Sequence, residues 1–138
     1  MLDHLRQKAA QTLASVDSVI FSSFGPADIQ ISRVASESDD LTLYVFIPSS
    51  SDHLLNLECR REVVIAVDEW ELQGTARLVA SDEIPAVINL SGYSTNPNRP
   101  FCARNQTWGC TVEIRPTRLT FHSPIGQGNI ETIDFFNF

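Results

Sequence analysis

Apolar positions along the chain change period several times, and each change marks an element. Leu2, Leu5, Ala9, Leu13 and Val16 recur at helical spacing, with Arg6, Lys8 and Gln11 on other faces, which predicts one amphipathic helix over residues 2–15. The pattern then becomes strand-like in Ser18–Phe24, which Gly25-Pro26 closes as a turn. Ile29, Ile31 and Val34 supply the apolar positions of a second strand within residues 28–36, and Ser38-Asp39-Asp40 reads as a polar turn into a third.

Leu41–Ala80 is the densest part of the pattern. Leu41–Ile47 is a β-rich run that stops at Pro48, and the cluster Ser49-Ser50-Ser51 leads into a short helix over residues 52–59. Val63–Val67 is a buried-type strand, and Trp70–Val79 alternates like another. Hydroxyls at a helix start can serve an anion, because unpaired N–H groups point outward there; the plainer role is a cap supplied by Ser51 or Ser50.

The second half is less regular. Ser81-Asp82-Glu83 before Ile84–Ile88 predicts a capped short helix, and residues 92–108 read as a long loop whose Tyr93, Phe101 and Trp108 favour a cover. Cys110–Arg115 and Leu119–Ser123 read as two strands separated by a break at Pro116. The aromatic tail, residues 129–138, carries Phe135, Phe136 and Phe138 and is expected to pack on the domain or on a second subunit; a partner-recruiting role for it is the alternative. Six to seven mostly antiparallel strands with short flanking helices make a mainly β chain, a β-barrel in one domain spanning 1–138. Turns too short for crossover helices disfavour a parallel sheet.

Composition narrows the function. A net charge of −7, with Lys8 the sole lysine and basic residues otherwise scattered, leaves no patch for a phosphate backbone, so nucleic acid is excluded as a partner. Cys59, Cys102 and Cys110 show no C-x-x-C spacing and suit free thiols in a reducing compartment, with a Cys102–Cys110 pairing left open. The N-terminus has no basic region followed by an apolar core, and no run reaches the roughly 20 apolar residues that span a bilayer. A cytoplasmic protein without a membrane role is the expectation. His4, His53 and His122 form no metal constellation by spacing, and no Ser, Cys or Asp partner for His53 is identifiable, so no catalytic residue is assigned.

The order of these elements resembles the pyridoxamine 5'-phosphate oxidase-like, FMN-binding split β-barrel family. The match runs through Val34–Ala35, Leu41–Ile47, Ser51-Asp52-His53-Leu54-Leu55-Asn56-Leu57, Val63–Val67, Gln73–Val79 and Val112–Leu119, about residues 10–123. The resemblance implies a split barrel, a homodimer, and FMN held between subunits. It implies that Ser32, Arg33, Val34 and Ala35 line the flavin ring and phosphate side and that Phe46, Ile47, Pro48 and Ser49 follow the ring edge. Ser51 and His53 match positions where the family commonly has a serine and a lysine for the phosphate. His53 is a departure: with an ordinary pKa near ~6.5 it is only partly charged at neutral pH, so phosphate binding leans on Arg33, the serines and helix N–H groups.

The implied function is a flavin-dependent oxidoreductase acting on an unknown small molecule. The alternative is a non-catalytic split-barrel binding protein that has lost the flavin or holds haem, deazaflavin or another small ligand. Arg33 is expected to clamp a phosphate, against pairing with a carboxylate such as Glu37. His53 reads more simply as a surface histidine of an amphipathic helix, and Arg60-Arg61 as a solvated helix end. Trp70 and Trp108 could stack on a flavin ring but more commonly serve as core anchors.

Overall fold

The computed structural model describes residues 2–79, 109–122 and 131–137. Helix α1 (Leu2–Ala14) precedes strands β1 (Ser18–Ser23), β2 (Gln30–Asp39) and β3 (Thr42–Pro48). Helix α2 (His53–Cys59) then leads to β4 (Glu62–Ala66), β5 (Trp70–Val79), β6 (Gly109–Phe121) and β7 (Glu131–Asp134), and a 3-10 turn covers Phe135–Asn137. The expected helix 81–88, the loop 92–108 and Phe138 lie outside the described residues.

All the strand pairings are antiparallel. The order β3-β2-β1-β4-β5-β6-β7, with a further β3–β6 pairing, closes six strands into a barrel and leaves β7 as an added strand on β6. Closure rests on Leu43↔Ile114 through Pro48↔Gly109. Alternation then sorts the side chains: Val19, Phe21 and Ser23 of β1 point inward with Leu43, Val45, Ile47, Ile65, Leu72, Val112 and Ile114, all buried. Ala9 and Leu13 of α1 join this core from outside the barrel wall. The tail does pack on the domain: Ile133 is buried in the core and Phe135 lies against it, whereas Phe136 is exposed.

Two expectations are corrected. The second strand runs to Asp39 rather than Ser36, because Asp40 takes φ 53° and closes the turn later. Pro116 does not break the last long strand; β6 is continuous, and its register with β5 slips between Gln73 and Gly74 so that Thr117 is the extra residue. A bulge tolerates a residue without an N–H. Thr117 Oγ1 donates to the Gln73 carbonyl at 3.1 Å, and Gly74 is required there because a Cβ would lie 2.8 Å from the Arg115 carbonyl oxygen.

Candidate functional site

The barrel wall opens beside β2. Strand β1 pairs with β2 from Gln30 to Ala35, but β3 pairs with it only from Ala35 to Asp39. The far edge of residues 30–34 therefore has no strand partner among the described residues. Beyond Pro48 the chain turns, with the Ser51 N–H donating to the Pro48 carbonyl at 3.0 Å, and α2 folds back toward β1 and the free half of β2. The result is a notch bounded by the open edge of β2, the end of β3 and the start of α2. All ten residues assigned from the sequence lie on these three segments.

Their side chains separate across the wall. Arg33, Ala35 and Phe46 face out, since Arg33 opposes Ile20 and Ala35 opposes Phe46. Val34 and Ile47 face the core and are buried, so they offer backbone rather than side chain. The Phe46 ring lies over Gly109, where a Cβ would also fall 2.9 Å from the Ile47 carbonyl oxygen, so the closure of the barrel favours glycine at that point. Pro48 and Ser49 are exposed at the lip. Arg33 is exposed and donates to Ser18 Oγ at 3.4 Å rather than to Glu37. It borders a cavity of about 340 Å³ with Ser18, Ile20, Ala66, Asp68 and Glu69.

Ser51 caps: its hydroxyl accepts the His53 N–H at 3.1 Å, while Asp52 makes no side-chain cap bond. His53 is not a surface residue. It is 2% exposed, with its ring 4.7 Å from that of Phe21. Helical spacing places His53, Asn56 and Leu57 on one buried face, which the reading of an exposed histidine overlooked. Burial pushes the His53 pKa below its ordinary 6.5, with Asp52 pulling weakly the other way. The ring therefore favours its neutral form at pH 7 more than a free imidazole does and makes a poor cation for a phosphate.

Four polar groups line up through this ring. Ser32 Oγ lies 3.0 Å from His53 Nε2, and Ser23 Oγ lies 2.6 Å from Nδ1. Asn56 Nδ2 donates to Ser23 Oγ at 3.1 Å and to the Asp28 carbonyl at 2.8 Å, and Asn56 Oδ1 accepts the Ala27 N–H at 2.9 Å. Ser23 and Asn56 were missed from the sequence. The signal was present: Ser23 falls on the inward register of Val19 and Phe21, and a polar residue at a core position requires a partner.

Farther along the outer face, Glu113 is buried between Arg77 (Nε to Oε1, 3.0 Å) and Arg115 (3.1 Å). Burial pushes its pKa up, but the bonds and charges of the two arginines outweigh this and hold it low. Those arginines are thus committed, and Arg33 is the cation on the free half of β2. Trp70 belongs to the core. Cys102 and Trp108 lie outside the described residues, and among those described no cluster of metal-ligating residues forms.

No family model and no curated protein matches the sequence. Solved structures do match in shape. One from Clostridium acetobutylicum, a protein related to general stress protein 26 of B. subtilis and described as of the pyridoxinephosphate oxidase family, is 12% identical with a TM-score of 0.70, covering 98% of this chain and 97% of that one. General stress protein 26 from Bacillus anthracis is 15% identical (TM-score 0.65; 95% and 98% covered). A heme binding protein from Mycobacterium smegmatis is also 15% identical (TM-score 0.65), this chain covering 57% of it. The chain therefore has the split-barrel fold of pyridoxamine 5'-phosphate oxidase-like structures, as the sequence resemblance implied. No helix among the described residues is long and apolar enough to cross a membrane.

Proposed function

We propose that this chain is an FMN-binding split-barrel protein, a flavin-dependent oxidoreductase working as a homodimer on a small molecule. The observation that carries the reading is the notch, where the free edge of β2 meets the lip at Pro48–Ser51, with the exposed Arg33 guanidinium on the outer face of the same strand, directed toward Ser18 of β1. FMN fits these residues in part. Arg33 would pair with a phosphate, its guanidinium already donating to Ser18 Oγ, with Ile20 and Ala66 as an apolar wall beside it. His53 does not fit as a phosphate cation, and Asp68 and Glu69 border the same cavity, so the phosphate is held by fewer charges than the family pattern implies. When bound, the isoalloxazine supplies the hydride or electron chemistry. The protein's part is to bind, orient and exclude water, which needs no acid–base constellation. Exposed Ile31 and Leu55 near the notch give a second copy apolar surface to cover.

The buried, neutral His53 favours the second reading, a non-catalytic module holding haem or another small ligand. One experiment separates them: purified protein is mixed with FMN, or in parallel with haemin, and desalted. A retained, perturbed flavin spectrum upholds the first reading; retained haem without flavin replaces it with the second.

A further inference from the structure

The hydrogen-bond directions in the buried chain are fixed by its anchored end. Asn56 cannot be turned over: the Ala27 N–H needs its oxygen and the Asp28 carbonyl needs its NH₂. Its Nδ2 is therefore a donor to Ser23 Oγ. Ser23 is fully buried and has one O–H, and the acceptor available to it among the described residues is His53 Nδ1, 2.6 Å away. Reversing that bond would leave a buried hydroxyl hydrogen with no acceptor. So Nδ1 accepts, the imidazole proton sits on Nε2, and Nε2–H donates to Ser32 Oγ at 3.0 Å. The Ser32 oxygen is thereby occupied as an acceptor of the histidine proton, and its own hydrogen is turned away from the ring. Ser32 is exposed, on the unpaired half of β2.

We infer that Ser32 presents its O–H into the notch as a fixed hydrogen-bond donor, that it binds an acceptor oxygen of the ligand, and that His53 is the residue that positions it. This deepens the FMN reading and rests on it: the acceptor is a ring carbonyl or a phosphate oxygen of the flavin. The arrangement also denies His53 the role of base toward Ser32, since the nitrogen facing that hydroxyl already carries the proton. The lowered pKa of the buried ring agrees, because a neutral imidazole can hold one donor and one acceptor nitrogen.

Two measurements test this. Long-range ¹H–¹⁵N NMR of the unliganded protein reads the tautomer: a protonated Nε2 with a bare Nδ1 is expected, and a protonated Nδ1 overturns the inference. Titration with FMN and with riboflavin compares wild type, Ser32→Ala and Ser32→Thr. The alanine variant is expected to lose about three- to tenfold in affinity, with threonine restoring it. Loss for both flavins places the acceptor on the ring, and loss for FMN alone places it on the phosphate. Unchanged affinity in Ser32→Ala overturns the inference. If wild type takes up neither flavin, the FMN reading falls, and the NMR tautomer alone upholds or overturns the donor at Ser32.

Discussion

Ser32 and Arg33 are adjacent on one strand yet serve opposite sides of the barrel wall: Ser32 meets the buried ring of His53, while Arg33 extends outward to Ser18. This follows from the period-2 alternation of a strand. It matters because β2 lacks a strand partner there, so a ligand would have to pass around its open edge to meet both side chains.

Burial of His53 has a pH consequence. Well above pH 6.5 the ring is neutral in the folded and the unfolded chain and contributes no slope. As the pH falls through 6.5 the unfolded ring takes up a proton that the folded ring resists, so stability falls until the pH drops below the lowered folded value. Urea midpoints of wild type and His53→Gln, taken at about pH 7.5 and 5.5, check this. Wild type should lose more on acidification than the variant; equal losses would count against a depressed pKa.

Ser36 is fully buried and its hydroxyl has no hydrogen-bond partner among the described residues. An unpaired buried hydroxyl costs more than the small void its removal leaves. Ser36→Ala should raise the urea midpoint, by about 1 kcal/mol in stability with an unchanged m-value. A drop in midpoint would show that the hydroxyl is satisfied.

The two ends of the tail should behave differently. Ile133 pairs with Leu119 and sits in the core, so Ile133→Ala should cost about 2–4 kcal/mol. Phe136 is 81% exposed, and Phe136→Ala should change stability by less than about 0.5 kcal/mol. Thermal unfolding of both variants tests this. A large loss in Phe136→Ala would place that ring against a second molecule.

Much of the fold was legible because its period was clean. Leu72–Ala76 alternates as a half-buried strand must, Val19–Phe21 and Leu43–Ile47 are short apolar runs bounded by turn residues, and the short turns left no room for a parallel sheet. Pro116 misled because a proline inside a strand normally ends it, and only the register slip opposite Gly74 shows how β6 continues. The site was legible as segments, since β2, the end of β3 and the start of α2 do adjoin. Which side chains meet was not. The inward turn of His53 depends on how α2 lies over Phe21, and its partners Ser32 and Ser23 lie 21 and 30 residues away in sequence, with Asn56 of the same helix reaching Ser23 across 33.

The central claim is that a flavin sits at the notch with Arg33 on its phosphate. Affinities for FMN and riboflavin, measured by fluorescence titration on wild type and Arg33→Ala, address it directly. The account predicts that wild type prefers FMN and that the variant loses roughly tenfold or more in FMN affinity while riboflavin changes little, because only a charge-assisted contact is removed. Equal loss for both flavins, or an FMN preference that survives the substitution, would contradict it.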